Sequence, residues 1–414
     1  MSLYTLNDFK RFFSNIPQLQ VEGGNAVNIA EYWFNHNDAN DAYNGMDLQP
    51  DLEPCSLDDG YLNIWQGFGV NDLAVSETDV QLVNYLNHAR YIICNDNVEH
   101  YDELLRFLAH LRQRPEEKPL YAIVLESEEH GTGKSTFLQP LVTMCGTHGT
   151  EVQKGERVFG KFNSRIANLI LVVLEEAFAG SNDATNSLKN LITSYIMELE
   201  KKGIDAIEVE NYLRLILTTN QVNIIKIDST ERRYFYLKVS ASKLNNTEYF
   251  ETLNFTIPKR KSHIKFVSKL SYFLKNYPLP PKYIPKNPPN TKTLGMKKLD
   301  NLSPEHKFIY RMLYSGSNTS AFGSFDWQER VSNKELEVLY EEFKKGLRKH
   351  TLDKESQLPL RSIGIMLTRL GMANNVSKSG RSREMLEYKI PEYKNKFCDI
   401  LGLPSDIFEC NSND

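Results

Sequence analysis

Three short apolar runs stand out in the hydrophobic pattern of the chain. They span Leu120–Leu125, Leu169–Leu174 and Leu213–Leu217, and each is rich in Leu, Ile and Val. Continuous apolar runs of this length are typical of strands that are buried on both faces, as in a parallel sheet. The pattern therefore predicts an α/β core.

Other segments carry apolar residues at helical spacing. The sequence YDELLRFLAHLR at 101–112, for example, places four leucines on one face, which predicts a core helix. Further helices are predicted at 80–93, 186–196 and 264–276. With the three apolar runs, these helices predict that strands and helices alternate along the middle of the chain.

Two short segments of alternating polarity, Ile196–Lys201 and Ala206–Tyr212, predict a β-hairpin. Lys201 and Lys202 lie near its tip. They could contact a nucleic-acid backbone, or they could be solvated turn residues.

A cluster of six prolines between residues 278 and 289 predicts an extended linker. With this linker, the chain divides into four predicted regions. They are an N-terminal accessory region at 1–99, the core at 100–277, a Pro/Lys-rich linker at 278–299 and a C-terminal domain at 300–414. The last is predicted to have helices beginning near Ser303 and Ser332 and a third at 360–370.

A basic, glycine-containing segment at 377–383 follows these helices and leads into a predicted strand, Met385–Ile390. Helices followed by a basic hairpin indicate a winged-helix-like α+β domain. Lys378, Arg381 and Arg383 would then line the wing and contact DNA phosphates. A winged helix that docks on protein is the alternative.

Composition and charge narrow the class of protein. No apolar run approaches the roughly 20 residues of a membrane helix, and no signal peptide is evident. The five cysteines lack C-x-x-C spacing, which argues against a zinc site or a disulfide framework and favours a reducing cytosol. Residues 258–298 contain eleven basic and no acidic residues, so they suggest either a polyanionic partner or a solvated linker.

Residues 126–136, ESEEHGTGKST, follow the first buried run and precede a helical pattern. This context is typical of a phosphate-binding loop, in which backbone N–H groups surround an anion. The predicted ATP-binding residues are Gly131, Thr132, Gly133, Lys134, Ser135 and Thr136. Lys134 would reach the β- and γ-phosphates, and the Ser135 hydroxyl would hold Mg²⁺.

Glu128 departs from the usual phosphate-loop pattern, because it occupies the position of the first loop glycine. We expect a loop that differs from the common glycine geometry while it keeps Lys134 and Ser135 in place.

Polar residues also follow the other two buried runs, and the carboxyl ends of parallel strands meet at one edge of a sheet. Glu175 and Glu176 follow the second run, and Asn220 follows the third. Glu175 would support Mg²⁺, whereas Glu176 would orient the attacking water. Asn220 would orient that water or sense the γ-phosphate.

Arg232 and Arg233 follow Asn220 by about a dozen residues. One of them could be an arginine finger, which stabilises charge on the transferring phosphoryl group. The alternative is a surface ion pair.

In this order and spacing, the chain resembles the helicase portion of phage- and plasmid-type primase-helicases, which are superfamily 3-like ATPases related to the poxvirus primase-helicase. The resemblance covers residues 28–245 well and the C-terminal domain loosely. It rests on YDELLRFLAHLRQRPEEKP, GTGKSTF, VVLEEAF, LKNLITSYIMELEKKGIDAIEVENYLRLILTTN and ERRYFYL.

The resemblance implies an AAA+-like P-loop NTPase core that acts as a ring, usually a hexamer, because each site needs an arginine from the neighbouring subunit. Lys202 would lie on a DNA-translocating hairpin, and Asn220 would be the sensor. The primase domain often found upstream in the family is not recognised in these residues, so we expect either a standalone helicase or one that needs a separate primase or polymerase.

These patterns predict an ATP-dependent, Mg²⁺-dependent DNA helicase of a phage, virus or mobile element. It would act on single-stranded or forked DNA in the host cytoplasm. The alternative is a DNA-binding replication initiator or adaptor that uses ATP as a switch. A small-molecule P-loop kinase would need a lid and an acceptor pocket, and it would not need paired arginines after a Thr-Thr-Asn strand end.

Overall fold

A computed structural model describes most of the chain. The described residues are 10–11, 28–35, 45–54, 57–58, 60–153, 166, 168–175, 182–201, 204–220, 227, 231–258, 260–315, 331–372, 374–377 and 380–409. Their strands are β1 Gly45–Asp47, β2 Leu57–Asp58, β3 Tyr61–Asn63, β4 Ala122–Glu126, β5 Gly149–Val152, β6 Leu171–Glu175, β7 Ile196–Lys201, β8 Ile204–Glu210, β9 Arg214–Thr219, β10 Tyr234–Lys238, β11 Val331–Ser332, β12 Asn374–Ser377 and β13 Gly380–Arg383.

The helices connect and cover these strands. They are α1 Ile29–Asn35, α2 Val80–His88, α3 Val98–Gln113, α4 Lys134–Cys145, α5 Asn182–Thr193, α6 Thr247–Glu251, α7 Lys261–Asn276, α8 Lys292–Asp300, α9 Pro304–Ser315, α10 Asn333–Lys345, α11 Lys349–Leu352, α12 Pro359–Leu370 and α13 Ile390–Leu401. A π-helical turn continues α2, and short 3-10 helices lie at 146–148, 254–256, 387–389 and 405–408.

The centre of the molecule is a five-stranded sheet in the order β10-β4-β9-β6-β5, and all its pairings are parallel. The three predicted apolar runs form the adjacent strands β4, β9 and β6. Val124 lies opposite Leu217, and Val173 lies opposite Ile216. The carboxyl ends of these three strands consequently share one edge of the sheet.

Helices cover both faces of this sheet, which explains why its strands are apolar throughout. Alternate residues point into different cores: Ile123 and Leu125 belong to one core, and Ala122 and Val124 belong to the other. Residues of α2, α3, α4 and α7 fill the first core, and residues of α5, the β7–β8 hairpin and α8 fill the second. Within the described ranges, no helix is both long and apolar enough to cross a membrane.

Two of the predicted regions, the accessory region and the linker, pack on the core. Leu82 and Tyr85 of α2, in the predicted accessory region, are part of the first core. The proline segment is also anchored: the Pro285 carbonyl accepts a hydrogen bond from the Leu120 N–H at 2.7 Å, and the Tyr283 hydroxyl donates to Glu103 at 2.6 Å. The region predicted as linker also contains α8.

The C-terminal part has its own apolar core and a three-stranded antiparallel sheet in the order β11-β13-β12. Ser332 caps α10 in a reciprocal capping box with Glu335, as the sequence Ser-Asn-Lys-Glu favours. The hairpin at the predicted wing is β12–β13, but the strand predicted at 385–390 is wrong. A 3-10 turn and α13 occupy that segment, and the proline at position 391 suits the first turn of a helix.

Three of the eleven basic residues in the segment 258–298 are paired with carboxylates of the same chain, so fewer of its charges are available to a polyanionic partner. Lys269 pairs with Asp79 at 2.6 Å, and the Lys275 amine lies 3.1 Å from Asp72. The other contacts are those of Lys297 with Glu126 and of the Lys298 amine with the Gly402 carbonyl. A count of charges in the sequence cannot reveal such pairs, because each partner lies far away along the chain.

Candidate functional site

Three strand ends build the site. β4 leads into the loop 127–133, β6 ends at Glu175, and Asn220 follows β9. These strands are neighbours in a parallel sheet, so the loop, the carboxylate and the amide meet at one edge. The same edge carries the amino-terminal end of α4.

The loop reverses direction by means of two glycines. Gly131 has φ +76° and Gly133 has φ +96°, values that only glycine adopts without strain. Glu128 is not among the residues with positive φ, and its exposed side chain lies 3.5 Å from Lys238. The loop therefore turns without a glycine at position 128, and α4 begins directly at Lys134.

The Lys134 amine lies in the centre of this edge. It donates to the Ser127 hydroxyl and to the Asn220 side-chain oxygen, and Thr132 donates to Ser127 at 3.2 Å. The Asn220 amide nitrogen lies 3.0 Å from His130 Nδ1. The Ser127 and Asn220 oxygens therefore hold the Lys134 amine at the point where the loop, the end of β9 and the start of α4 meet.

Carboxylates lie on the opposite side of the α4 start. The Ser135 hydroxyl is 3.5 Å from Glu175, and Gln139 donates to Glu151. Burial, together with the proximity of Glu175, raises the pKa of Glu151 to about 7. No group of three or more His, Cys, Asp or Glu side chains in the described part of the chain could hold a metal. A Mg²⁺ ion at Ser135 and Glu175 would thus need further oxygens from a nucleotide and water, which is the usual arrangement for this ion.

The buried side chain of His88 contacts the end of the loop. His88 Nε2 lies 3.0 Å from the Gly133 carbonyl, and its Nδ1 lies 2.8 Å from the Tyr249 hydroxyl. Burial lowers the pKa of His88 to about 4, so the imidazole is neutral at pH 7. A Cβ atom at Gly133 would lie 2.5 Å from the His88 ring, so close packing as well as positive φ requires glycine there.

A cleft of about 860 Å³ lies above the loop. One wall consists of residues 130–136 with Gln153, Glu175, Thr218 and Asn220. The other wall consists of Phe250, Leu253, Thr256 and Ile257. All six residues predicted to bind ATP line this cleft together with Glu175 and Asn220.

The two candidate arginines have different surroundings. Arg233 is 3.2 Å from Glu231, whose side chain is fully buried and also pairs with Lys189 at 3.1 Å. Arg232 is exposed, and only its backbone N–H contacts Glu231, at 3.1 Å. The alternative of an ion pair therefore describes Arg233, whereas the Arg232 side chain faces outward.

The predicted DNA contacts are less completely described. Glu176, Lys202 and Lys378 lie outside the described residues, as does the side chain of Lys201 at the end of β7. Arg381 is exposed on β13. Arg383, in contrast, is buried and donates to the Thr368 hydroxyl at 2.6 Å and to the Met372 carbonyl at 3.3 Å. The prediction of a phosphate contact does not suit Arg383, because its guanidinium is used inside the domain.

Several residues of the site had no signal in the sequence. In the sequence, nothing distinguishes Ser127 and His130 from the rest of the loop, and Glu151 lies on the short strand β5, which has no apolar run to mark it. His88 is distant along the chain and belongs to an ordinary amphipathic helix. Phe250 belongs to the segment 246–257, which carries no motif.

The fold and the site together define an α/β protein with a parallel sheet. Its cleft lies at the edge where the carboxyl ends of the strands meet, beside the loop 127–133 and the start of α4. A model of a family of unknown function, DUF5906, matches residues 125–233. That stretch contains the loop, Glu175, Asn220 and both arginines. A segment of 128 residues is 23% identical to the DNA primase-polymerase of Nitratiruptor phage NrS-1, and it represents 30% of this chain and 18% of that protein. The chain thus matches less than a fifth of that relative.

Solved structures extend the likeness over most of the chain. The A form apo structure of the NrS-1 C-terminal region aligns with a TM-score of 0.62 and 15% identity, covering 87% of this chain and 91% of that one. Another apo structure of the region gives a TM-score of 0.58 with 14% identity, covering 83% and 84%. At these identities the likeness is one of fold. The mixed α/β fold with its parallel sheet is shared with the C-terminal region of a phage protein.

Proposed function

We propose that this chain is an ATP-dependent DNA helicase of a phage, virus or mobile element, with a P-loop NTPase core of the superfamily 3 type. The observation that carries the proposal is the position of the Lys134 amine between Ser127 and Asn220, at the meeting point of two parallel strands and a helix start. A lysine amine beside the backbone N–H groups at the start of a helix favours a polyphosphate. The phage primase-polymerase among its relatives supports a role in phage DNA replication.

The residues of the cleft fit the phosphate end of ATP. The backbone at 131–136 and Lys134 would bind the phosphates, and Ser135 and Glu175 would hold Mg²⁺ through oxygen ligands. ATP would supply the phosphoryl group, and its transfer to water would drive movement of the protein along DNA. Asn220 would orient the attacking water or sense the γ-phosphate, and Glu176 remains the proposed residue that orients the attacking water.

The proposed assembly is a ring, most simply a hexamer, in which each site uses an arginine of the neighbouring subunit. Of the two, Arg232 is the residue proposed to act in a neighbouring subunit, because Arg233 is paired with Glu231 in its own chain. Lys201 and Lys202 at the β7–β8 hairpin and Lys378 and Arg381 at the wing remain the proposed contacts with single-stranded or forked DNA. A separate primase or polymerase is a further proposed partner, and the host cytoplasm is the proposed location.

The test is nucleotide hydrolysis with Mg²⁺, with and without single-stranded DNA, in the wild type and in Lys134→Ala. We expect DNA-stimulated hydrolysis that Lys134→Ala abolishes, because the variant removes the cation that binds the phosphates. A matched control is Lys265→Ala, since Lys265 is exposed on α7 and remote from the loop in sequence. Absence of hydrolysis in the wild type would refute the proposal.

A replication initiator or adaptor that uses ATP as a switch is the second candidate. Its support is the exposed face of α12, where Ile365 is 50% exposed, together with the inward position of Arg383. Such a surface suits protein docking as well as DNA. Strand displacement on a forked duplex separates the two candidates, because the initiator would bind the fork without unwinding it.

A further inference from the structure

The second wall of the cleft has a different chemical character from the phosphate loop. Phe250 is half-buried with part of its ring at the cleft, and the Ile257 side chain is 46% exposed there. Leu253 and Thr256 complete this wall and are almost fully buried. An apolar surface beside a cationic loop in one cleft suits a ligand with a charged end and a flat apolar end.

The network around His88 fixes the distance between the two walls. His88 bonds the Gly133 carbonyl of the loop with one ring nitrogen and the Tyr249 hydroxyl with the other. Tyr249 packs edge-on against Phe250, with their ring centroids 5.2 Å apart. A Cβ atom at Gly133 would lie 3.1 Å from the Phe250 ring, so this ring directly adjoins the last residue before Lys134.

The same wall has its hydrogen-bond donors already engaged. The backbone N–H groups of Phe250, Leu253, Thr256 and Ile257 donate to the carbonyls of Asn246, Phe250, Leu253 and Asn254 respectively. The Thr256 hydroxyl donates to the Leu253 carbonyl at 2.8 Å. Each lining residue of this wall therefore keeps its donors inside its own segment.

From this arrangement we infer that Phe250 and Ile257 form the face that receives the base of the nucleotide, and that the site holds the base by contact and stacking with little discrimination between adenine and guanine. The inference rests on the proposed nucleotide site and specifies its substrate class as nucleoside triphosphates with little selectivity between the two purine bases. Stacking on an aromatic ring tolerates any base, because every base has a π face. Strong discrimination needs a hydrogen bond that the wrong base leaves unmade.

Binding measurements with Mg²⁺ and ATP, GTP or inorganic tripolyphosphate test this inference. Tripolyphosphate reports on the loop alone, because it has no base. In the wild type we expect ATP and GTP to bind with affinities that differ by less than about a hundredfold. In Phe250→Ala both nucleotides should bind roughly tenfold or more weakly, with tripolyphosphate binding unchanged. Phe250→Trp keeps an aromatic face and should retain nucleotide affinity.

The outcomes separate this inference from the proposed function. A preference for one purine above about a hundredfold, or unchanged nucleotide binding in Phe250→Ala, would overturn the inference while the nucleotide site stands. Loss of tripolyphosphate binding in Phe250→Ala would also overturn it, because the ring would then act on the loop. If the wild type binds neither nucleotides nor tripolyphosphate, the proposed function itself fails.

Discussion

The Lys297 amine lies 2.7 Å from the Glu126 carboxylate, and both side chains are only 6% exposed. Glu126 is the last residue of β4, directly before the loop 127–133, and Lys297 belongs to α8, which leads into the C-terminal part. The Tyr236 hydroxyl also donates to Glu126 at 2.7 Å. A buried ion pair thus joins the base of the loop to the segment that precedes the C-terminal domain.

Removing one partner of this pair should be costly. Lys297→Met would leave a buried carboxylate with one hydroxyl donor, and we expect a loss of about 3–5 kcal/mol in the free energy of unfolding of the α/β core. Urea denaturation measures this loss, with Lys265→Met at an exposed position of α7 as the control. The double variant Glu126→Gln, Lys297→Met should recover part of the loss, because no buried charge remains. Equal unfolding of Lys297→Met and the control would contradict the prediction.

His88 should make the core sensitive to acid. Its folded pKa of about 4 lies below the ordinary value of 6.5, so the unfolded chain binds a proton between these two values and the folded protein does not. The stabilising contribution is complete above pH 6.5 and is lost as the pH falls to 4, by about 3 kcal/mol. Urea midpoints from pH 7 to pH 4 should fall more steeply in the wild type than in His88→Gln. Parallel curves would refute this role of His88.

Single alanine variants should distinguish the roles of Arg232 and Arg233. Arg232→Ala should abolish hydrolysis and leave nucleotide binding intact, because the exposed guanidinium is proposed to act on a neighbouring subunit. Arg233→Ala removes one of two cations near buried Glu231, so we expect lower stability with hydrolysis largely retained. Mixing Arg232→Ala with Lys134→Ala subunits should restore some hydrolysis if the arginine acts across an interface. The reverse pattern in the single variants would assign the finger to Arg233.

Strand interiors were the most predictable part of the fold. β4, β6 and β9 are buried on both faces, so continuous apolar runs mark them, and parallel pairing then brings their carboxyl ends together. β5 was not predicted, because its residues Gly-Thr-Glu-Val at a half-buried edge give no such run. The place of the wing was predicted but its strands were shifted, since alternation at 385–390 competes with the helix-starting proline.

Long-range pairing was the least predictable feature. The sequence shows that residues 258–298 are basic, but it does not show that Lys297 is neutralised by Glu126 or Lys269 by Asp79. The same limit applies to Arg383, which is a basic residue in the predicted wing but is buried in the C-terminal domain. His88 beneath Gly133 likewise depends on tertiary packing, which no local pattern encodes.

Arg381 and Arg383 provide a matched pair for the wing, because they differ by two positions on β13 and in exposure. If the wing binds DNA, Arg381→Ala should weaken binding uniformly across sequences and reduce the slope of log affinity against log salt by about 1, because it removes one phosphate contact. Arg383→Ala should instead lower the free energy of unfolding of the C-terminal domain by roughly 1–3 kcal/mol, since the Thr368 hydroxyl and the Met372 carbonyl lose their donor.

Fluorescence anisotropy with a labelled forked duplex at several salt concentrations measures the effect of Arg381→Ala on DNA binding, and thermal denaturation measures the effect of Arg383→Ala on stability. An unchanged salt slope in Arg381→Ala, with DNA binding otherwise intact, would remove Arg381 from the DNA interface and favour a winged helix that docks on protein.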